Sequence, residues 1–405
     1  MSKSLPSLAD LQQQHQAFID AKLSLDITRG KPSSEQLALA DTIDGILSGN
    51  YKSSDGTDTR NYGGLDGLAA AKALGAELLD VPASQVLVGG NASLTLMYQT
   101  LSFKRMFDER WKGDIKFLCP VPGYDRHFAI CEELGIDMIN IDMTVEGPDL
   151  NAIKAQLEAD SSIRGIWCVP KYQNPTGITF SDACVTGLVE LAKQYDFDIF
   201  WDNAYAVHHF DPNDVDELLS IWQEAERLNA VDHLWCYAST SKITHAGSGL
   251  AFLAASTTNL SWFKARLGIA SIGPDKVNQE RHIRFFTQHT SLEQHMARHA
   301  AILKPRVDCV LNTLSESLGH IDGCRWDTPK GGYFITFYGP EGTASRIAQL
   351  AGEAGVKLTP AGATHPYGKD PKDQVIRIAP SFPTLEELEQ AMQVFCVAAQ
   401  IAIAE

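Results

Sequence analysis

The chain has 405 residues, 44% of them apolar and 21% charged, which is enough for a large core and, at this length, for two domains. That composition gives no ground for disorder, and a formal net charge of −16 argues against nucleic acid or an anionic membrane surface as partner. The opening residues lack the apolar core of a signal peptide, and no apolar run is long enough for a membrane span. The eight cysteines are scattered without CxxC spacing, so buried thiols in a cytoplasmic protein are expected.

From about residue 65 to 255, short apolar runs alternate with helical patterns, as in a mainly parallel sheet covered by helices. Strands are predicted at 86–88, 115–119, 163–169, 199–201, 234–237 and 250–254. Gly89 and Gly90 separate the first of these from a helix expected to start near Leu94. The spacing of Val185, Leu188, Val189 and Ala192 predicts an amphipathic helix, and Val215, Leu218, Leu219 and Trp222 predict another. Farther on come a long helix over about 280–318, a turn at Gly331-Gly332 and a strand at 333–337. A helix, a short strand near Val356, a strand at 375–378 and a final helix complete the chain. The α/β class with a smaller α+β domain follows. The expected division is 46–300 for the large domain, against 1–45 with 301–405 for the small one.

Chemistry-bearing residues recur where apolar runs end. Lys242 closes Ala238-Ser-Thr-Ser-Lys, after the run 234–237; Asp202 ends the run 198–201; Asn174 follows the strand from Ile163. Open α/β sheets bind ligands at such strand ends. A lysine able to form a Schiff base, an acid for a pyridinium nitrogen and an amide for a phenolic oxygen together suit pyridoxal phosphate. Taken singly, Asp202 and Asn174 read as helix caps and Lys242 as a solvated lysine, but its neighbours are apolar and hydroxylic rather than charged. The segment Asn91, Ala92 and Ser93, at a helix start, offers free N–H groups to a phosphate, as do the hydroxyls of Ser239 and Ser241; a plain turn is the alternative. Arg377, the only arginine in its strand, suits a carboxylate clamp or a surface ion pair. His295 and His299 lie four apart on a predicted helix, but with no HExxH glutamate or nearby cysteine no metal site is expected.

With Asn174, Asp202, Lys242 and Arg377 in this order, the chain resembles the fold type I pyridoxal-phosphate aminotransferases along nearly its whole length. The runs 28–33, 60–67, 121–128 and 273–278 are similar to the aspartate aminotransferase group related to MocR-type domains. The resemblance implies that Lys242 carries the Schiff base and that Asp202 pairs with the ring nitrogen. It implies that Asn174 and Tyr205 hydrogen-bond the ring oxygen and that Tyr124 stacks on the ring. Asn91, Ala92, Ser93 and Ser239 would hold the phosphate, with Tyr62 reaching in from the other subunit of a homodimer. Arg377 would bind the substrate α-carboxylate beneath the backbone of Gly30. One departure stands out: the family's phosphate-facing arginine, eight residues after the lysine, is replaced by Leu250.

The implied activity is transfer of an amino group from L-aspartate to 2-oxoglutarate in two half-reactions. Arg29, Arg126 and Lys276 are the candidates for a distal carboxylate. Alternative readings are a donor that is aromatic or 2-aminoadipate, a β-lyase, a cofactor-binding sensor domain of a DNA-binding regulator, and an inactive scaffold.

Overall fold

The computed structural model describes residues 7–405. Its central sheet has eight strands in the spatial order Val86–Val88, Ala251–Ala255, Leu234–Ser239, Asp198–Asp202, Ile163–Cys168, Lys116–Val121, Asp137–Thr144 and Gly147–Pro148. The five from Leu234–Ser239 to Asp137–Thr144 are mutually parallel. Ala251–Ala255 runs antiparallel to both of its neighbours.

Alternation along each strand feeds two cores. Ile199, Trp201, Cys236 and Ala238 pack with the helix Asp182–Tyr195 on one face. Phe200, Trp235 and Tyr237 pack with the helix Ser93–Phe107 on the other. Burial on both faces explains why these strands read as unbroken apolar runs.

Two smaller sheets lie outside this one. Arg325–Trp326, Ile335–Tyr338 and Val375–Ile378 form an antiparallel trio, and Leu25–Asp26 pairs in parallel with Val356–Lys357. A third core joins these strands to the helices Ala344–Glu353 and Leu385–Ala404 and to the C-terminal half of Leu292–Leu318.

Three expectations change. The strand Asp137–Thr144 was not expected; it lies toward one side of the sheet, where most of its residues keep some solvent and Asp and Asn interrupt the apolar signal. The helix expected over 215–222 begins only at Ile221, behind the Ser220 cap. The residues before it are held irregular by the Tyr172 hydroxyl, which accepts the Asp216 N–H, and by an ion pair between Lys330 and Asp214. The long helix over 280–318 is two. Lys276–Arg284 runs on into a π-turn at Phe285–His289, Thr290 is extended, and Ser291 starts Leu292–Leu318 with a capping box to Gln294. That second helix crosses residue 300 and tolerates Pro305 in its interior.

Candidate active site

Five parallel strands deliver their carboxyl ends to one edge of the large sheet, and the predicted residues gather there. Ser93, Tyr124, Asn174, Asp202, Tyr205 and Lys242 line one small cavity. Asp202 is the last residue of its strand, while Tyr124 precedes the helix Asp125–Glu133 and Ser93 opens the helix Ser93–Phe107. Lys242 stands three residues past Leu234–Ser239, on a turn closed by bonds from Ile243 and Thr244 N–H to the Thr240 carbonyl.

The electrostatics of the cavity are uneven. The Asp202 carboxylate spends Oδ2 on His127 Nε2, 3.1 Å away, and its buried Oδ1 has no partner among the described residues. The His127 ring is itself held by stacking on Trp167, with centroids 4.2 Å apart and planes 8° from parallel. The Lys242 amine lies 4.8 Å from the Tyr205 ring. Burial pulls its pKa below the ordinary lysine value, and the Asp202 charge opposes this only in part. Burial also raises the phenols of Tyr124 and Tyr205, reinforced at both by Asp202, so both stay protonated.

Arg377 lies in the edge strand of the three-stranded sheet, yet it is buried rather than at the surface. One nitrogen donates to Asp125 Oδ1 at 3.1 Å and to Asn174 Oδ1 at 3.3 Å, the guanidinium lies 4.9 Å from the Phe334 ring, and its Nε has no partner among the described residues. Gly30 packs on the same ring so closely that an added Cβ would sit 2.2 Å from it, which explains the glycine there.

Other predicted residues lie outside the cavity wall. Ser241 donates to the Asn91 carbonyl at 2.9 Å, and Asn91 reaches the Gly247 carbonyl at 3.2 Å, so the 89–93 and 239–249 loops are tied together. Ser239 ends its strand, half-buried, and Ala92 is the residue before the helix. Leu250 is core, 2% exposed. Tyr62 is 84% exposed and does not approach this cavity. Of the three cations considered for a distal carboxylate, Lys276 is committed to the carbonyls of Asn61 and Gly63, whereas Arg29 and Arg126 are exposed.

Two site residues escaped the sequence reading, His127 and Asp125. Both lie in the first turn of Asp125–Glu133, and only the fold carries them to Asp202 and Arg377.

Comparison with known proteins identifies the family. The family model described as Aspartate amino-transferase matches residues 1–405. The chain belongs to that aminotransferase family. It is 41% identical over 406 residues to the aspartate aminotransferase of Corynebacterium glutamicum, covering 98% of this chain and 93% of that protein. The crystal structure of an aspartate transaminase from the same organism superposes with a TM-score of 0.94 at 40% identity, over 98% of this chain and 95% of that one. An α-aminoadipate aminotransferase from Thermus thermophilus, complexed with N-(5'-phosphopyridoxyl)-L-leucine, shares the fold at a TM-score of 0.78 and 20% identity, over 98% and 97% of the two chains. The α/β architecture expected of a fold type I aminotransferase is therefore the one found.

This aminotransferase buries several further histidines, His208, His282, His295 and His299 among them. His295 and His299 both point Nε2 at the Ile243 carbonyl, at 2.6 and 2.9 Å, an arrangement that occupies them without a metal. Burial holds His208 and His299 down to about 3, and His282 and His295 to about 4. These depressed values make a pH prediction. Between the ordinary imidazole value of 6.5 and about 4 the unfolded chain binds protons that the folded chain refuses, so stability falls as pH drops through that window. Each such imidazole contributes up to about 1.4 kcal/mol per pH unit there. Denaturant titrations at a series of pH values from neutral downward check this, and a flat stability over the window would contradict it.

Proposed function

We propose that this aminotransferase uses pyridoxal phosphate to transfer the amino group of L-aspartate to 2-oxoglutarate. One observation carries the reading: an amine with a depressed pKa and an unpartnered carboxylate oxygen share a cavity at the strand ends. That donor set fits this cofactor. The buried Oδ1 of Asp202 lacks a proton donor, which a protonated pyridine nitrogen would supply, and Lys242 offers an amine ready to condense with an aldehyde.

Asn174 and Tyr205 would hold the ring oxygen and Tyr124 the ring face. Asn91, Ala92, Ser93, Ser239 and Ser241 would hold the phosphate, their hydroxyls and helix N–H groups standing in for the arginine that Leu250 replaces. When bound, pyridoxal phosphate supplies a carbonyl that condenses with amines and a ring that accepts electrons. The protein does the rest. His127 keeps the Asp202 carboxylate oriented. Lys242, once free, would take the proton from the substrate Cα and pass it to the aldehyde-derived carbon of the cofactor, and the reverse transfer would serve the second half-reaction. Burial leaves more of its amine unprotonated at neutral pH than in a solvated lysine. Arg377 turns its unpartnered Nε to the α-carboxylate, with Asp125 and Asn174 fixing its other end and the backbone of Gly30 covering it. Arg29 and Arg126, exposed and in no ion pair among the described residues, are left for the distal carboxylate.

The same reading makes the enzyme a homodimer with shared sites and divides the chain at 46–300 against 1–45 with 301–405. In support of the dimer, Tyr62, Ile269 and Ile272 are 84%, 90% and 62% exposed, an apolar surface suited to a second copy. Among the described residues no helix is long and apolar enough to cross a membrane, and a cytoplasmic site of action goes with the free thiols.

The test is optical. L-aspartate should bleach the visible absorption of the cofactor-loaded enzyme, and 2-oxoglutarate should restore it. Absorption that ignores L-aspartate overturns the donor, and a loaded enzyme without visible absorption overturns the role of Lys242.

A further inference from the structure

Behind the Lys242 turn lies a buried polar cluster that the catalytic reading leaves unused. The carbonyls of Lys242 and Ile243 each receive two side chains. His208 Nε2 stands 3.2 Å and the Tyr333 hydroxyl 3.3 Å from the Lys242 oxygen. His295 and His299 converge on the Ile243 oxygen. These four side chains come from three separate parts of the chain, and none is more than 2% exposed.

Gln36 ties the cluster to the N-terminal segment. Its Oε1 accepts the Ser33 N–H at 3.0 Å, which leaves its amide nitrogen facing His299 Nδ1 at 3.1 Å and the Tyr333 hydroxyl at 3.0 Å. An amide nitrogen only donates. His299 Nδ1 is therefore the acceptor, and the ring proton sits on Nε2, aimed at Ile243. The Arg298 guanidinium, 3.2 Å from His295 Nδ1, sets the same tautomer in that ring. Tyr333, its oxygen engaged by Gln36, is left to donate toward Lys242. One orientation satisfies Gln36, His299 and Tyr333 together, while His208 donates from Nε2 and keeps an Nδ1 without a partner among the described residues.

One donor per carbonyl would meet the demands of burial. Four converge on two adjacent peptide oxygens, at the turn that carries Lys242. The segment that supplies Gln36 also supplies Gly30, which presses on Phe334, the residue next to Tyr333.

We propose that Gln36, His208, His295, His299 and Tyr333 are positioning residues: they fix the peptide bearing Lys242 and couple it to the 28–36 segment, whose Gly30 packs on the Phe334 ring beside Arg377. The proposal rests on Lys242 being the amine that links the cofactor. Its consequence is that contact of substrate with the 28–36 segment is felt at the lysine through hydrogen bonds alone, from Gln36 through Tyr333 to the Lys242 carbonyl.

The test compares holoenzyme carrying Gln36→Met, Tyr333→Phe or both with the unsubstituted holoenzyme. Visible absorption reports the lysine link, its pH titration reports the surroundings of the amine, and thermal melting reports folding. Each single variant should keep the absorption and shift its titration midpoint. Each should lose about ten- to a hundredfold in kcat with KM for L-aspartate little changed, because a misplaced amine acts on the chemical step. The double variant should be no worse than the poorer single one, since both cut one relay. Folded single variants with kcat within about twofold of the unsubstituted enzyme, or a double variant whose losses multiply, overturn the proposal. If Gln36→Met does not fold, Tyr333→Phe, which removes only a hydroxyl, decides by its kcat and titration midpoint. Absence of visible absorption in the unsubstituted holoenzyme overturns the reading of Lys242 and this proposal together. Its presence with unchanged kcat in the variants overturns this proposal alone.

Discussion

Lys242→Ala is expected to reduce turnover by about ten-thousandfold or more while leaving the fold intact. The side chain removed supplies the amine at the cavity wall, so under the proposed function the variant would lose both the link to the cofactor and the base at Cα. Little stability goes with it. The ammonium form of Lys242 is disfavoured by burial, its nitrogen approaches an aromatic ring at 4.8 Å, and the Asp202 charge offsets only part of the desolvation. Groups placed for chemistry commonly sit at such a stability cost, and their removal is tolerated. The measurement is a single-turnover assay of the purified variant with a melting curve beside it. Near-normal turnover would sink the catalytic assignment, whereas a collapsed fold would show that Lys242 also serves the core.

The largest effect on stability is expected far from the chemistry, at Lys104. This lysine is 3% exposed, on the helix that Ser93 opens, and its amine sits 2.7 Å from Asp198, at the start of the strand that ends in Asp202. Rings of Trp111 and Trp235 lie 5.1 and 4.7 Å from the charge, with Trp262 at 5.8 Å. Lys104→Met keeps most of the volume but leaves Asp198 charged and unpaired inside the protein. Breaking a buried pair in this way costs about 3–5 kcal/mol. Adding Asp198→Asn should return part of that loss, because the uncompensated charge disappears while its desolvated position remains. Denaturant midpoints of the three proteins decide. A loss below about 1 kcal/mol for the single variant would mean that the pair is solvated in solution. The pair joins the helix that begins at the cavity to the strand that delivers Asp202, so the scaffold under the site is held by electrostatics as well as by packing.

Much of the architecture is legible along the chain because its central strands are buried on both faces. Residues 163–168, 198–202 and 234–239 announce themselves as apolar runs, and Asn174, Asp202 and Lys242 fall where those runs stop. The readings that failed share a cause. Asp137–Thr144 pairs with Lys116–Val121 over 137–142 and only with the two-residue strand Gly147–Pro148 at its end, and its half-solvated face admits Asp and Asn, so its alternation is weak. The spacing from Val215 to Trp222 is helical, but the hydroxyl of Tyr172 and the amine of Lys330, distant in sequence, claim the backbone and charges before Ile221. Thr290 and Ser291 break what periodicity alone reads as one helix.

At the site the division is similar. Arg377 reads locally as an edge-strand arginine suited to a surface ion pair. It is indeed on an edge and in an ion pair, but contacts with Asp125 and Asn174 of the large sheet's loops bury the guanidinium while Asp125 stays partly exposed, and among the described residues one nitrogen is left without a partner. His127, Asp125 and Gln36 give no local signal, since each has an ordinary place in a helical turn; their partners Asp202, Arg377 and His299 lie 75, 252 and 263 positions away.

Period, composition and the residue types at strand ends are local properties, and from them the chain already specifies an α/β sheet with a lysine, an acid and an amide along one edge. Which nitrogen holds the acid, which carbonyls anchor the lysine and which cation remains free for a distal carboxylate depend on contacts between segments far apart in sequence. A hydrogen bond is formed only within about 3 Å and near one direction, and that condition is met or missed only once packing has brought the segments together.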